Sequence, residues 1–139
     1  MKHAGLAAAS AAALALVLAA SAAAAIYRGA GSDDPGMPVK VTLQGRDVSF
    51  RYSDVLVNCS DGSRVRQGGA VHSGRLNSAG RFKDTLEVKG DDDSTIDLTT
   101  SVVKGRVMGK KAWGSVVYEL GYEGGDCHSG TVRWSARRR

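Results

Sequence analysis

The residues most able to do chemistry stand together near the C-terminus, in Gly124-Gly125-Asp126-Cys127-His128-Ser129-Gly130. A thiol, an imidazole and a hydroxyl in a row suggest an active site, half of a metal site or half of a disulfide. The hydrolase reading fails on residue order. Chymotrypsin-like proteases place an Asp before the nucleophilic Ser, and here His128 takes that place. The Gly-x-Ser-x-Gly elbow of lipases is absent, and no triad can be assigned from these residues.

A metal site would draw on Cys59, Cys127, His72 and His128. These four lack the paired spacing of zinc fingers. Cys127 and His128 are also adjacent, so on a strand they point to opposite faces. The reading that remains is a Cys59–Cys127 disulfide, the usual state of two cysteines in an exported chain. Closing a loop of about 70 residues would contribute roughly 4 kcal/mol.

Other polar clusters carry less. Asp91, Asp92, Asp93 and Asp97 could collect Ca²⁺, but Ile96 stands where a calcium loop needs Gly. They read as a solvated turn, and no metal or cofactor is expected. Glu119, Glu123 and Asp126 could resemble a glycosidase carboxylate set; Glu119 falls on the outward face of its strand, which favours simple solvation. Trp113 shares that outward face with Ser115 and Val117. An exposed Trp on a sheet is a platform for stacking a sugar ring, whereas Val117 beside it argues for burial under a second layer. Trp113 and Tyr122 are the candidate ligand-binding residues.

The elements that must position these groups read as strands. Val39, Val41 and Leu43 alternate with Lys40 and Thr42; Val48, Phe50 and Tyr52 alternate with Ser49 and Arg51. A patch at Val55–Val57 leads to Cys59, and Arg64–Ser73 is a weaker candidate. Phe82, Leu86 and Val88 face Ile96 and Leu98 across an Asp-rich turn, as in a hairpin. Val103–Val107 reads as a further strand. The stretch from Ala112 to Leu120 alternates most cleanly, and Val132 and Trp134 face inward on the last strand. Eighteen glycines, of which only Gly5 lies before residue 26, suit turns and bulges better than helices.

The N-terminus reads as an export signal. Met1-Lys2-His3 is followed by an Ala/Leu/Val run, and Ala23-x-Ala25 fits signal peptidase, with cleavage expected after Ala25. An uncleaved membrane anchor is the alternative, weakened by the alanine content of the run. Residues 26–37 read as a linker or irregular edge, and 38–139 as one β domain with a basic C-terminal tail. Lys2 is the only charged residue of the leader, so a net charge of +5 becomes +4, three units of it on Arg137, Arg138 and Arg139. Such a tail makes weak, salt-sensitive contact with anionic polymers and no specific nucleic-acid site.

Tyr27-Arg28-Gly29, Cys59 with Gly62, Gly80-Arg81-Phe82, Gly105-Arg106-Val107 and the closing Cys127 to Trp134 form a sparse pattern over nearly the whole mature chain. It resembles a group of small secreted β-rich proteins of high-GC actinobacteria and related soil bacteria. The resemblance implies a β-rich fold and a cysteine pair; it brings no functional residue with it. The expectation is therefore an all-β protein, a small antiparallel β-sandwich or β-barrel of about 7–9 strands behind a signal-peptide helix. It would be a secreted, monomeric, non-catalytic binding module, its partner a cell-wall polysaccharide or another extracellular protein. The alternatives are a carrier using a barrel interior and, behind it, a small hydrolase.

Overall fold

The computed structural model describes residues 23–139; of the expected signal peptide, residues 1–22 lie outside the described residues. Ten strands follow one another: β1 (Ala25–Gly31), β2 (Pro38–Gln44), β3 (Asp47–Ser53), β4 (Leu56–Cys59), β5 (Arg64–Arg66), β6 (Gly69–Arg75), β7 (Arg81–Lys89), β8 (Ile96–Met108), β9 (Lys111–Tyr122) and β10 (Gly125–Arg138). All pairings are antiparallel, in the order β6-β3-β2-β1-β10-β9-β8-β7. The short β4–β5 pair is attached to the start of β10. The sheet curls until its edges, β6 and β7, stand side by side without a hydrogen-bonded ladder between them. The expected all-β antiparallel fold is thus a nearly closed barrel, one strand richer than the upper expectation.

Three local readings change. Residues 26–37 are not a linker throughout: β1 lies in the middle of the sheet, paired with β2 on one side and β10 on the other. Its pattern is hidden because glycines stand at positions 29 and 31, where alternation from buried Tyr27 would call for apolar side chains; Gly31 is buried and Gly29 is exposed. Backbone closeness explains Gly29, where a Cβ would collide with the Ser135 carbonyl oxygen. The segments at Ile96–Leu98 and Val103–Val107 are one strand, β8, rather than two. The basic tail is the paired end of β10: Arg137 lies opposite Lys111 and Arg28, and the Arg138 N–H donates to the Lys110 carbonyl at 2.9 Å.

Alternation fills the interior from every strand. The rings of Phe50, Tyr52, Phe82 and Trp134 occupy it, with Phe50 and Trp134 centroids 4.8 Å apart. Trp134 fits because two glycines face each other beside it. Gly105 on β8 pairs with Gly114 on β9, which pairs in turn with Trp134. A Cβ on Gly105 would lie 2.8 Å from the Trp134 ring and closer still to Phe82. Small residues here make room for the largest one.

The loop from β1 to β2 is pinned to β4 and β5. Buried Asp34 accepts the Leu56 N–H at 3.2 Å and meets the Arg66 guanidinium at 2.7 Å. That guanidinium holds the Asp34 carboxyl below its ordinary 3.8, against the burial that pushes it up. A depressed carboxylate stabilises the fold above its unfolded pKa, and the gain is lost as pH falls through the folded value. Urea midpoints are therefore expected to fall between pH 5 and pH 3, and Asp34→Asn to flatten that slope. Identical slopes in both proteins would refute this account.

Candidate functional site

The opening sequence motif resolves into structural parts. Cys127 on β10 lies directly opposite Cys59 on β4, and the two form a disulfide across a sequence separation of 68. His128 points the other way and is exposed. Ser129 and Gly130, at φ 64°, form the bulge where the β10–β9 register shifts. The Ser129 hydroxyl accepts the Tyr118 N–H at 2.9 Å and donates to the Gly130 carbonyl at 2.6 Å. The hydroxyl satisfies backbone groups that the bulge leaves without a ladder partner.

A different Ser, His and Asp do converge. His72 Nδ1 lies 2.8 Å from Asp84 Oδ2, and His72 Nε2 lies 2.7 Å from Ser101 Oγ. The Tyr52 hydroxyl also bonds Ser101 Oγ. Burial pushes the Tyr52 phenol up to about 12, so it remains a donor at neutral pH. The Tyr52 hydroxyl, the Ser101 hydroxyl, the His72 ring and the Asp84 carboxylate thus form one continuous hydrogen-bonded chain. The order matches that of a catalytic triad. Access does not: Ser101 and His72 are each 1% exposed, and Tyr52 occupies the remaining side of the hydroxyl. No substrate carbonyl can reach Oγ here. The network sits where β6 meets β7 and fastens the barrel seam with side chains where the backbone ladder is missing. The sequence marks His72 only as a metal-ligand candidate, because its partners come from three other strands.

The accessible concave surface lies outside the barrel. A groove of about 750 Å³ runs over β1, β10 and β9, and its walls include Trp113, Ser135, Arg28, Lys111 and Arg137. Trp113 is 39% exposed, with no second layer over it among the described residues. The Arg106 guanidinium lies 6.0 Å from its ring centroid. The two aromatic candidates are not brought together. Trp113 faces outward near the start of β9, while half-buried Tyr122 ends that strand beside the disulfide, roughly 30 Å away at strand rise.

The register makes the outer face unusual in charge. One cross-strand row reads Arg51 (β3), Lys40 (β2), Arg28 (β1), Arg137 (β10), Lys111 (β9). Five adjacent strands each place a cation in the same row. Directly opposed like charges destabilise a sheet by about 0.2–1 kcal/mol per pair. Among the described residues, acidic partners within ion-pair distance belong to Arg66, Arg133 and His72, and none to the five of this row. The next outward row on the same face carries Arg81, Arg106 and Trp113.

No family model, curated protein or solved structure matches this chain.

Proposed function

We propose that the protein is an exported, non-catalytic binding module of the cell envelope or extracellular space, and that it holds a polysaccharide in the groove beside Trp113. The observation that carries this reading is the half-exposed indole set in an open groove on a rigid sheet. An indole face offers a sugar ring a flat apolar contact, and the surrounding hydroxyl and cationic groups offer hydrogen bonds. The Cys59–Cys127 disulfide suits an oxidising compartment outside the cytoplasm. Among the described residues no helix is long and apolar enough to cross a membrane. The carrier alternative finds its interior occupied by four aromatic rings, and the hydrolase alternative finds its serine sealed.

Co-sedimentation of the exported protein with purified cell-wall polysaccharide tests the reading. The protein is expected in the pellet, and Trp113→Ala is expected to bind at least tenfold more weakly with its thermal stability unchanged. Equal binding by Trp113→Ala would remove the groove from the account.

A further inference from the structure

We infer that the ligand of this face is a linear polyanionic glycan, a polysaccharide with repeating phosphate or carboxylate groups, laid along the five-cation row with one sugar ring on Trp113. The inference rests on the binding-module reading and adds the chemical class of the ligand. Its motivating juxtaposition is the row itself. At the ordinary spacing of paired strands, five cations on five neighbours span roughly 19 Å in one line. A line of cations complements a line of anions. A compact small molecule would meet one or two of them.

Two further features narrow the class. Three of the five cations are guanidinium groups, Arg51, Arg28 and Arg137, the last two directly opposite each other, and Lys40 and Lys111 supply ammonium groups. The guanidinium fork matches phosphate and carboxylate geometry in two parallel hydrogen bonds. The face also offers one aromatic platform. Proteins that hold single-stranded nucleic acid stack successive bases on several aromatics, which this face lacks among the described residues. One ring beside a long cationic line suits a sugar polymer whose charges, rather than its rings, recur.

The row also acts against the empty fold, because each cation opposes another across the strands. An anionic ligand would relieve that repulsion along the whole row at once. Binding and stability should therefore move in opposite directions when the row is edited. Lys40 is the informative position: it stands between Arg28 and Arg51 and lies outside the groove that holds Trp113. Lys40→Glu would place an acid between two arginines, raising the melting temperature while breaking the line.

The test measures binding of a galacturonate decamer, of its methyl-esterified uncharged form, and of a single-stranded DNA 20-mer, each at low and moderate salt. Expected is binding of the charged decamer that weakens steeply with salt, at least tenfold weaker binding of the esterified form, and weaker binding of the DNA. Lys40→Glu should lose about tenfold in affinity for the charged decamer and melt higher than the parent. Equal affinity for both decamers, lost in Trp113→Ala, would overturn the polyanion inference and leave the module reading standing. Tighter binding of the DNA than of the charged decamer would overturn the glycan assignment. Unchanged affinity in Lys40→Glu would overturn the role of the row. Binding of no probe, together with no co-sedimentation, would overturn both readings.

Discussion

His72→Ala is expected to destabilise the protein by about 3–5 kcal/mol, the range for truncating a large buried ring to Ala, with the hydrogen bonds of that ring lost as well. Two groups lose a partner together, Asp84 and Ser101, while Tyr52 keeps its bond to Ser101. Asp84 keeps access to water, since its side chain is 30% exposed. Ser101 does not, because it is 1% exposed. Removing the ring also leaves a cavity against Phe50 and Tyr52, whose ring centroids each lie 6.3 Å from it.

The location of the damage matters more than its size. β6 and β7 have no ladder between them, so His72 is among the few polar links across the seam. Amide exchange in His72→Ala should therefore speed most in β6 and β7, with β1 and β10, paired on both sides, the last to exchange. Asp84→Asn provides the control. It keeps the shape and one acceptor but loses the charge-assisted bond, so about 1–2 kcal/mol is expected. A loss under 1 kcal/mol in His72→Ala, or protection lost evenly through the barrel, would mean that the seam is held by apolar packing alone.

What could be read from the sequence divides along physical lines. β2, β3 and β9 were legible because each carries at least three inward apolar side chains in strict alternation. β1 was not, because glycines at 29 and 31, each forced by close backbone approach, replace the alternating apolar side chains and imitate loop composition. β8 looked broken in two because Thr99 and Ser101 interrupt its apolar run; Ser101 is polar since it serves the His72 network. The disulfide reading needed only two cysteines and the expectation of export. The cationic row could not be seen at all. Its members lie in five strands spread from residue 28 to residue 137, and only the register brings them into line. The three terminal arginines looked like a charged tail for the same reason: without the pairing of β10, nothing distinguishes a strand end from a frayed one.

Removing the disulfide in a Cys59→Ala, Cys127→Ala protein is expected to cost about 4 kcal/mol, and to lower the melting temperature by on the order of 15 °C. The size follows from topology. β4 and β5 form a two-stranded flap joined to the barrel through only two residue pairs with β10, Cys127 with Cys59 and His128 with Asn58. The covalent link reinforces this short ladder alongside the Asp34 contacts, the Ser60–Asp126 hydrogen bonds and the buried Val55 and Val57. The link also closes a long loop, running from β4 through β9, in the unfolded chain. Both effects act in one direction, so the double variant should lose protection first in β4 and β5. The outer face should respond differently. Arg28, Lys111 and Trp113 lie on β1 and β9 opposite Ser135 and Arg137 of β10, far along that strand from Cys127. At temperatures where the double variant remains folded, its affinity for wall polysaccharide should stay within about twofold of the parent. Denaturant melts combined with binding at 10 °C separate the two outcomes. A large loss of binding in a folded double variant would place part of the ligand site on the β4–β5 flap, where Tyr122 and the disulfide line a second hollow of about 330 Å³.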